Sequence, residues 1–288
     1  MKKITVIGEV LYDVYSNYKA IGGAPFNFAF HVNKLIRDVR FISAVGNDED
    51  GKDIIDFMKK NDFDSTSVQI NNYPTGKVNV SLNDEGMPSY NILTDQAYDF
   101  IDSVDIQSSD LLYVGTLAQR NSVSRNTINK HLHESSKIFF DVNLRQNFFS
   151  KEIIDETLVQ ATIVKLNHEE LNLILDLFEL PITNKIEKDA YELKILFNLE
   201  IVIVTMGKEG AIVLEKDISK SKKQVDKIID TVGAGDAYSA MFCSALLSGK
   251  TIEVCNDLAV QFAGEICKIK GAVPNSDEIY KVYRGKIQ

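Results

Sequence analysis

Six short runs in this chain are apolar on nearly every position: KITVIG at 3–8, RFISAVG at 40–46, LLYVGT at 111–116, IFFDVN at 138–143, TIVKLN at 162–167 and IVIVT at 201–205. A strand that is apolar on both faces needs cover on both faces, which is how parallel strands joined by crossovers are built. Amphipathic stretches at 24–36, 50–61, 121–134, 151–161 and 167–178 lie between these runs and read as helices. Strand and helix in alternation predict an α/β fold of three layers, αβα, around a mainly parallel central sheet. The 288 residues suffice for one such domain. Beyond residue 234 the pattern turns helical, with Gly249 and Gly271 as helix stops.

Two stretches break the rhythm. Residues 67–93, SVQINNYPTGKVNVSLNDEGMPSYNIL, alternate apolar and polar positions and carry turn signals at Pro74–Gly76 and Asn83–Pro88. Residues 11–19, LYDVYSNYK, alternate in the same way. Both read as antiparallel strands of a small sheet inserted in the main domain, a lid, with an ordinary edge extension of the main sheet as the other reading.

Charge narrows the partners. With 32 basic and 41 acidic residues the net charge is -9, which argues against nucleic acid or an anionic membrane. The opening MKKITVIGEVLYDV is too short in its apolar part for a secretory signal, and no apolar run approaches the roughly 20 residues of a membrane span. A cytoplasmic protein is expected. The three cysteines, Cys243, Cys255 and Cys267, are odd in number and lack a C-x-x-C pair, so they read as buried thiols. His131 and His133 sit two apart on a helix, face different ways and would chelate poorly. A metal site made mainly of protein ligands is not expected.

The loop GNDEDGK at 46–52 matches the start of a phosphate-binding P-loop, but the next residue is Asp53 rather than Ser or Thr. Asp48, Glu49 and Asp50 would repel phosphate. A capped helix start with acids in its first turn is the better account.

The stretch IIDTVGAGDAYSAMF at 228–242 is different. Gly233 and Gly235 let backbone approach a ligand, and the first amides of the helix that follows make an anion site. Asp236 would repel an anion, yet a base beside that site has a purpose. Phosphoryl transfer needs a carboxylate to take the proton of the acceptor hydroxyl while amides hold the developing charge. A helix-capping Asp is the alternative on this stretch alone.

DTVGAGD closely resembles the signature of the ribokinase-like (PfkB-type) sugar kinases, and the likeness runs along nearly the whole chain. GEVLYD at 8–13, GGAPFN at 22–27, GNDEDG, DVNLR at 141–145, NHEE at 167–170 and TMGKEG at 205–210 resemble that family's motifs in order. The resemblance implies a ribokinase-like α/β fold with a β-sheet lid, and an ATP- and Mg²⁺-dependent kinase with Asp236 as base. It implies an anion hole at Gly233, Ala234, Gly235 and Asp236, with Arg145 approaching the transferring phosphate. Asp13, Gly22, Gly23 and Asn27 fall at the sugar. Thr205, Gly207, Gly210 and Gly235 fall at the nucleotide. Asn167 and Glu170 are implied to organise Mg²⁺ through water, with helix capping as the other reading of that pair. Asp230 and Thr231 fall where several relatives hold a K⁺-type ion.

The residues also bear on the sugar. GGAPFN, GTLAQR at 115–120, DVNLR and the surroundings of AYDFI at 97–101 look most like fructokinases. A phosphorylated acceptor would call for more cations in the lid than Lys77, so a free sugar is expected, with phosphorylation of hexose at its 6-hydroxyl. Ribokinase, 2-keto-3-deoxygluconate kinase and nucleoside kinase are the alternatives within the family. A non-catalytic sugar sensor would show a damaged motif, and a nicotinamide dehydrogenase would need a G-x-G-x-x-G after the first strand. A homodimer through the lid is expected, with sugar and ATP as the small-molecule partners.

Overall fold

The structure is a computed structural model that describes residues 3–82, 88–105 and 109–288. Among the described residues thirteen strands are arranged in two sheets. In chain order they are β1 (Ile4–Ile7), β2 (Leu11–Val14), β3 (Lys19–Gly22), β4 (Val39–Gly46), β5 (Val68–Asn71), β6 (Gly76–Leu82), β7 (Pro88–Ile92), β8 (Leu111–Gly115), β9 (Ile138–Asp141), β10 (Ile163–Asn167), β11 (Ile201–Thr205), β12 (Ala211–Leu214) and β13 (Ile218–Ser221). The large sheet has the order β13-β12-β11-β10-β9-β8-β1-β4-β5, and the small one β3-β2-β6-β7. From β5 to β11 the large sheet is parallel, and β12 and β13 extend it antiparallel.

Helices cover both faces. They are α1 (Ala24–Ile36), α2 (Glu49–Lys60), α3 (Ser122–Glu134), α4 (Lys151–Gln160), α5 (His168–Leu177), α6 (Ile186–Leu196), α7 (Ala234–Leu247), α8 (Ile252–Ile266) and α9 (Glu278–Ile287). Along β8, Leu111 and Tyr113 enter the core shared with α1, α7, α8 and α9, while Leu112 and Val114 enter the core under α3 to α6. This alternation of two buried faces explains why the strand sequences are apolar throughout. Phe26 and Phe30 of α1 cluster with Phe41, Phe57 and Phe63. Phe57 is half-buried; each of the four fully buried rings contributes about 1.5–3 kcal/mol.

The chain leaves β1 for β4 and β5 on one side, then crosses to β8 on the other. Strand order therefore reverses between β1 and β8, and a crevice opens beyond their carboxyl ends. Helices α1 and α7 pack against each other, so their N-terminal turns share one core beside that crevice.

The small sheet departs from its sequence reading in three ways. Val68–Asn71 does not join it but pairs parallel with β4 at the edge of the large sheet. An edge strand is only partly covered and alternates like a half-exposed one, so alternation alone cannot assign it. Second, β2 pairs with β6 parallel, because α1, β4, α2 and β5 intervene before the chain returns. Third, Lys19–Gly22 supplies a further strand antiparallel to β2. The turn expected at Asn83–Pro88 falls on residues 83–87, outside the described residues. Among the described residues no helix is long and apolar enough to cross a membrane.

The GNDEDGK loop is a helix start. Asp48 caps α2, with Oδ1 accepting from the Gly51 amide at 2.8 Å. Asp50 pairs with Lys19 at 2.5 Å and Lys77 at 2.7 Å, tying α2 to the small sheet.

Candidate active site

The N-terminus of α7 forms the floor of the crevice. Gly233 caps it with φ 76°, and a Cβ there would lie 2.3 Å from that of Ala272, so only glycine fits. The preceding loop is braced by Asp230, whose carboxylate accepts from the amides of Val232 at 3.0 Å and Gly271 at 2.9 Å. Along the expected anion hole, the amide of Ala234 closes a turn on the Thr231 carbonyl at 3.2 Å. Those of Gly235 and Asp236 have no acceptor among the described residues and sit at the positive end of the helix.

Asp236 is buried, and its Oδ2 accepts from Asn27 Nδ2 at 2.8 Å. Its pKa is pushed up to about 6, first by burial and then by the charge of Asp141. The hydrogen bond from Asn27 and the cations Lys165 and Arg145 pull the other way. A carboxylate so tuned can be ionised at neutral pH and still accept a proton.

Behind the α7 terminus lies a buried pair absent from the sequence reading. Lys165 Nζ donates to Asp141 Oδ1 at 2.9 Å. Asp141 Oδ2 accepts from Ser239 Oγ at 3.0 Å and Tyr113 Oη at 3.1 Å. Burial disfavours the Lys165 ammonium, but Asp141, Glu170 and Asp236 outweigh it and keep it protonated. A Cβ on Gly235 would lie 3.1 Å from Lys165 Nζ, so the ammonium abuts the amides of the anion loop. The available signal was a lysine inside an otherwise apolar strand.

The expected sugar residues meet at the base of the small sheet. Asp13 lies on β2, and Gly22 stands opposite Leu11 on β3. A side chain at Gly22 would press to 2.9 Å from Asp13 Oδ2, and one at Gly23, φ 104°, to 2.7 Å from the Glu9 carbonyl. Burial raises Asp13 to about 6 and Glu9 to about 7. Both sense Arg145 and Asp236, so Glu9, which was overlooked, belongs to the same site. Arg145 is exposed and donates to the Leu144 carbonyl at 3.0 Å. Its charge pulls down the pKa of Asp13, Glu9 and Asp236, so the guanidinium stands near these carboxylates. Asn27 was expected to meet substrate directly; its amide nitrogen is engaged by Asp236, and its Oδ1 is buried without a partner among the described residues.

On the other side of the α7 terminus a cavity of about 750 Å³ is lined by Thr205, Gly207, Gly210, Val225, Ala234 and Gly235. The expected nucleotide residues are thus brought together around one space that reaches the anion loop. Asn167 and Glu170 form a complete capping box at the start of α5. Glu170 Oε2 accepts from the Asn167 amide and Oε1 from the Leu144 amide, each at 2.8 Å. Each oxygen keeps a further lone pair, a hard donor suited to a cation that retains its water.

The pfkB family carbohydrate kinase model matches residues 1–279. The chain is 24% identical to an ATP-dependent 6-phosphofructokinase of Thermoanaerobacterium thermosaccharolyticum, over 97% of this chain and 93% of that protein. It is also 24% identical to a fructokinase of Salmonella typhimurium, over 85% and 84% respectively. Among solved structures, an uncharacterised sugar kinase of Pyrococcus horikoshii in complex with ATP superposes with a TM-score of 0.84 at 25% identity, covering 99% of this chain and 100% of that one. On the match along residues 1–279, the chain belongs to the pfkB family of carbohydrate kinases, a family of phosphotransferases.

Proposed function

We propose that the protein transfers the γ-phosphoryl group of ATP to a primary hydroxyl of a free sugar, converting fructose to fructose 6-phosphate. The observation that carries this reading is Asp236: a buried carboxylate held by Asn27 beside two open amides, with the large cavity on one side and the acidic crevice on the other. The sugar hydroxyl lies against Asp236 and the nucleotide fills the cavity. The hydroxyl oxygen bonds to the γ-phosphorus, the bond from that phosphorus to the β–γ bridging oxygen breaks, and ADP leaves with the electron pair. Asp236 takes the hydroxyl proton, late if the transition state is loose. The Gly235 and Asp236 amides receive the charge on the transferring group, supported from behind by Lys165. Arg145 closes over it from solvent.

A Mg²⁺ ion, held through water by Asn167 and Glu170, would neutralise charge on the nucleotide phosphates. A K⁺-type ion beside Asp230 and Thr231 belongs to the same proposal. The small sheet serves as a lid that excludes water, and its outer face is the proposed dimer contact. A cytoplasmic setting completes the reading.

The relatives act on both free and phosphorylated fructose by name, so the choice must come from this chain. Lys19 and Lys77 on the small sheet are both committed to Asp50, and the crevice presents Glu9, Asp13 and Asp236. An acceptor carrying phosphate would meet those carboxylates, which favours a neutral sugar.

The test is ADP release from Mg-ATP with fructose, ribose, 2-keto-3-deoxygluconate, adenosine and fructose 6-phosphate, with K⁺ exchanged for Na⁺ in parallel. Turnover confined to fructose, and reduced 10²- to 10⁴-fold or more in Asp236→Asn, is expected. Turnover on fructose 6-phosphate alone would reject the free-sugar reading, and fructose binding without any turnover would reject the kinase.

A further inference from the structure

Ten buried side-chain polar atoms lack a partner among the described residues, and four of them, Glu9 Oε2, Asn27 Oδ1, Tyr98 Oη and Arg120 Nη1, cluster around this crevice. An unpaired buried polar atom costs about 1–3 kcal/mol, so four in one place ask for a ligand. Glu9 feels the charges of Arg145, Asp236 and Arg120, and Tyr98 those of Arg120 and Glu9. Asn27 bonds to Asp236, Glu9 leads into β2, Tyr98 packs under Gly76 where it pairs with Leu11 of β2, and Arg120 lies over the Tyr98 ring, so the four groups gather at the base of the small sheet. Gly76, the first residue of β6, covers Tyr98: a Cβ there would lie 2.8 Å from its ring.

Arg120 is held rigidly. Its Nε and Nη2 each meet one Asp99 oxygen at 2.7 Å, and Nη2 also donates to the Leu93 carbonyl at 2.6 Å. The guanidinium lies 5.1 Å from the Tyr98 ring centroid and 4.6 Å from that of Phe148. Only Nη1 is left over, and Asp99 already balances the charge. A group recognised here accepts one hydrogen bond from Arg120 and needs no negative charge. Glu9 and Tyr98 offer an acceptor and a donor-acceptor beside it.

We propose that Glu9, Tyr98 and Arg120 form a second polar subsite that binds the hydroxyls of a neutral sugar remote from the phosphorylated one, and that this subsite selects uncharged polyols over sugar acids. The proposal rests on the kinase reading for the orientation of the sugar. It adds three specificity residues to Asp13 and Asn27.

Tyr98→Phe and Glu9→Gln are the clean probes, because Tyr98 Oη and Glu9 Oε2 have no hydrogen-bond partner among the described residues. Each variant is titrated with fructose alone, then assayed with fructose and Mg-ATP, and its thermal midpoint is measured without ligand. The expected result is about a tenfold loss of fructose affinity per variant, as for one hydrogen bond, with the KM for ATP unchanged and the midpoint not lowered. Fructose affinity within twofold of wild type in both variants would overturn the subsite and leave the kinase reading standing. The titration reads the subsite even if no phosphoryl transfer occurs, so the two failures are separable. Turnover of 2-keto-3-deoxygluconate exceeding that of fructose, and lost in Arg120→Met, would also overturn it, since Arg120 would then be a carboxylate receptor.

Discussion

Asn27, in the first turns of α1, donates to Asp236 Oδ2 at 2.8 Å across 209 positions of sequence, and it is the only side-chain hydrogen bond that Asp236 makes among the described residues. The bond favours the ionised carboxylate against burial and the charge of Asp141. Asn27→Leu keeps the branched shape and removes the donor, so the pKa of Asp236 must rise from about 6. A base works only when deprotonated. The acid limb of kcat/KM should therefore move to higher pH, with activity depressed at pH 7 and largely recovered in more alkaline buffer. A pH–rate profile decides this, and an equal loss at every pH would make Asn27 a packing residue.

Glu9 gives a stability prediction with a definite sign. Its pKa is raised from 4.5 to about 7, chiefly by burial, so the folded state holds the proton more tightly than the unfolded chain. The penalty is absent below the unfolded value, grows as pH rises between the two, and levels above the folded one. At full extent it is on the order of 3 kcal/mol. Glu9→Gln should therefore stabilise the ligand-free protein at pH 8 and leave it unchanged near pH 4. Urea titrations at both values check this; equal stability at pH 8 would mean that the carboxylate is not penalised in the fold.

What could be read from the sequence follows from where its information is local. Gly233, Gly235 and Asp236 stand within four residues, and the anion site they build needs only the helix that follows. Asp13 and the Gly22–Gly23 pair were legible for the same reason. The Asn27–Asp236 bond and the Lys165–Asp141 pair were not, because each joins side chains that only the packing of distant elements brings together. Lys165 and Asp141 sit in runs read as apolar strands, and neither residue type says which neighbour it will face. Direction and edge position also escaped: alternation described β5 and β6 alike, yet one closes the large sheet and the other builds the small one. Thr205, Gly207 and Gly210 were assigned to a nucleotide by motif alone, and one cavity joins them.

The Lys165–Asp141 pair should be costly to break from one side and less costly to remove whole. Lys165→Met leaves Asp141 charged and buried, a loss of about 3–5 kcal/mol. Adding Asp141→Asn removes the stranded charge and can keep the hydrogen bonds from Ser239 and Tyr113. Most of the stability should return in the double variant, but turnover should not, because the positive charge behind Gly235 is gone. Denaturant unfolding and single-turnover ADP formation separate the two effects. A single variant within about 1 kcal/mol of wild type, against that expected range, would show that the pair contributes nothing to the fold.

Gly264 in α8 sets the width of the proposed nucleotide pocket. It lies inside a helix, where alanine is better by about 1 kcal/mol, so folding alone does not call for glycine. A Cβ at this position would lie 3.1 Å from Val225 Cγ2 and 3.5 Å from Lys223 Cδ. Val225 belongs to the irregular segment between β13 and α7 and lines the same cavity, so it can yield, but only by moving within the space the nucleotide would use. Gly264→Ala should therefore raise the thermal midpoint by a few degrees, roughly 2–4 °C per kcal/mol in a chain of this size. It should also raise the KM for Mg-ATP severalfold and leave that for the sugar unchanged. A lower midpoint with an unchanged ATP KM would reverse the argument: the glycine would then serve the close packing of Val225 on α8, and the nucleotide would lie elsewhere.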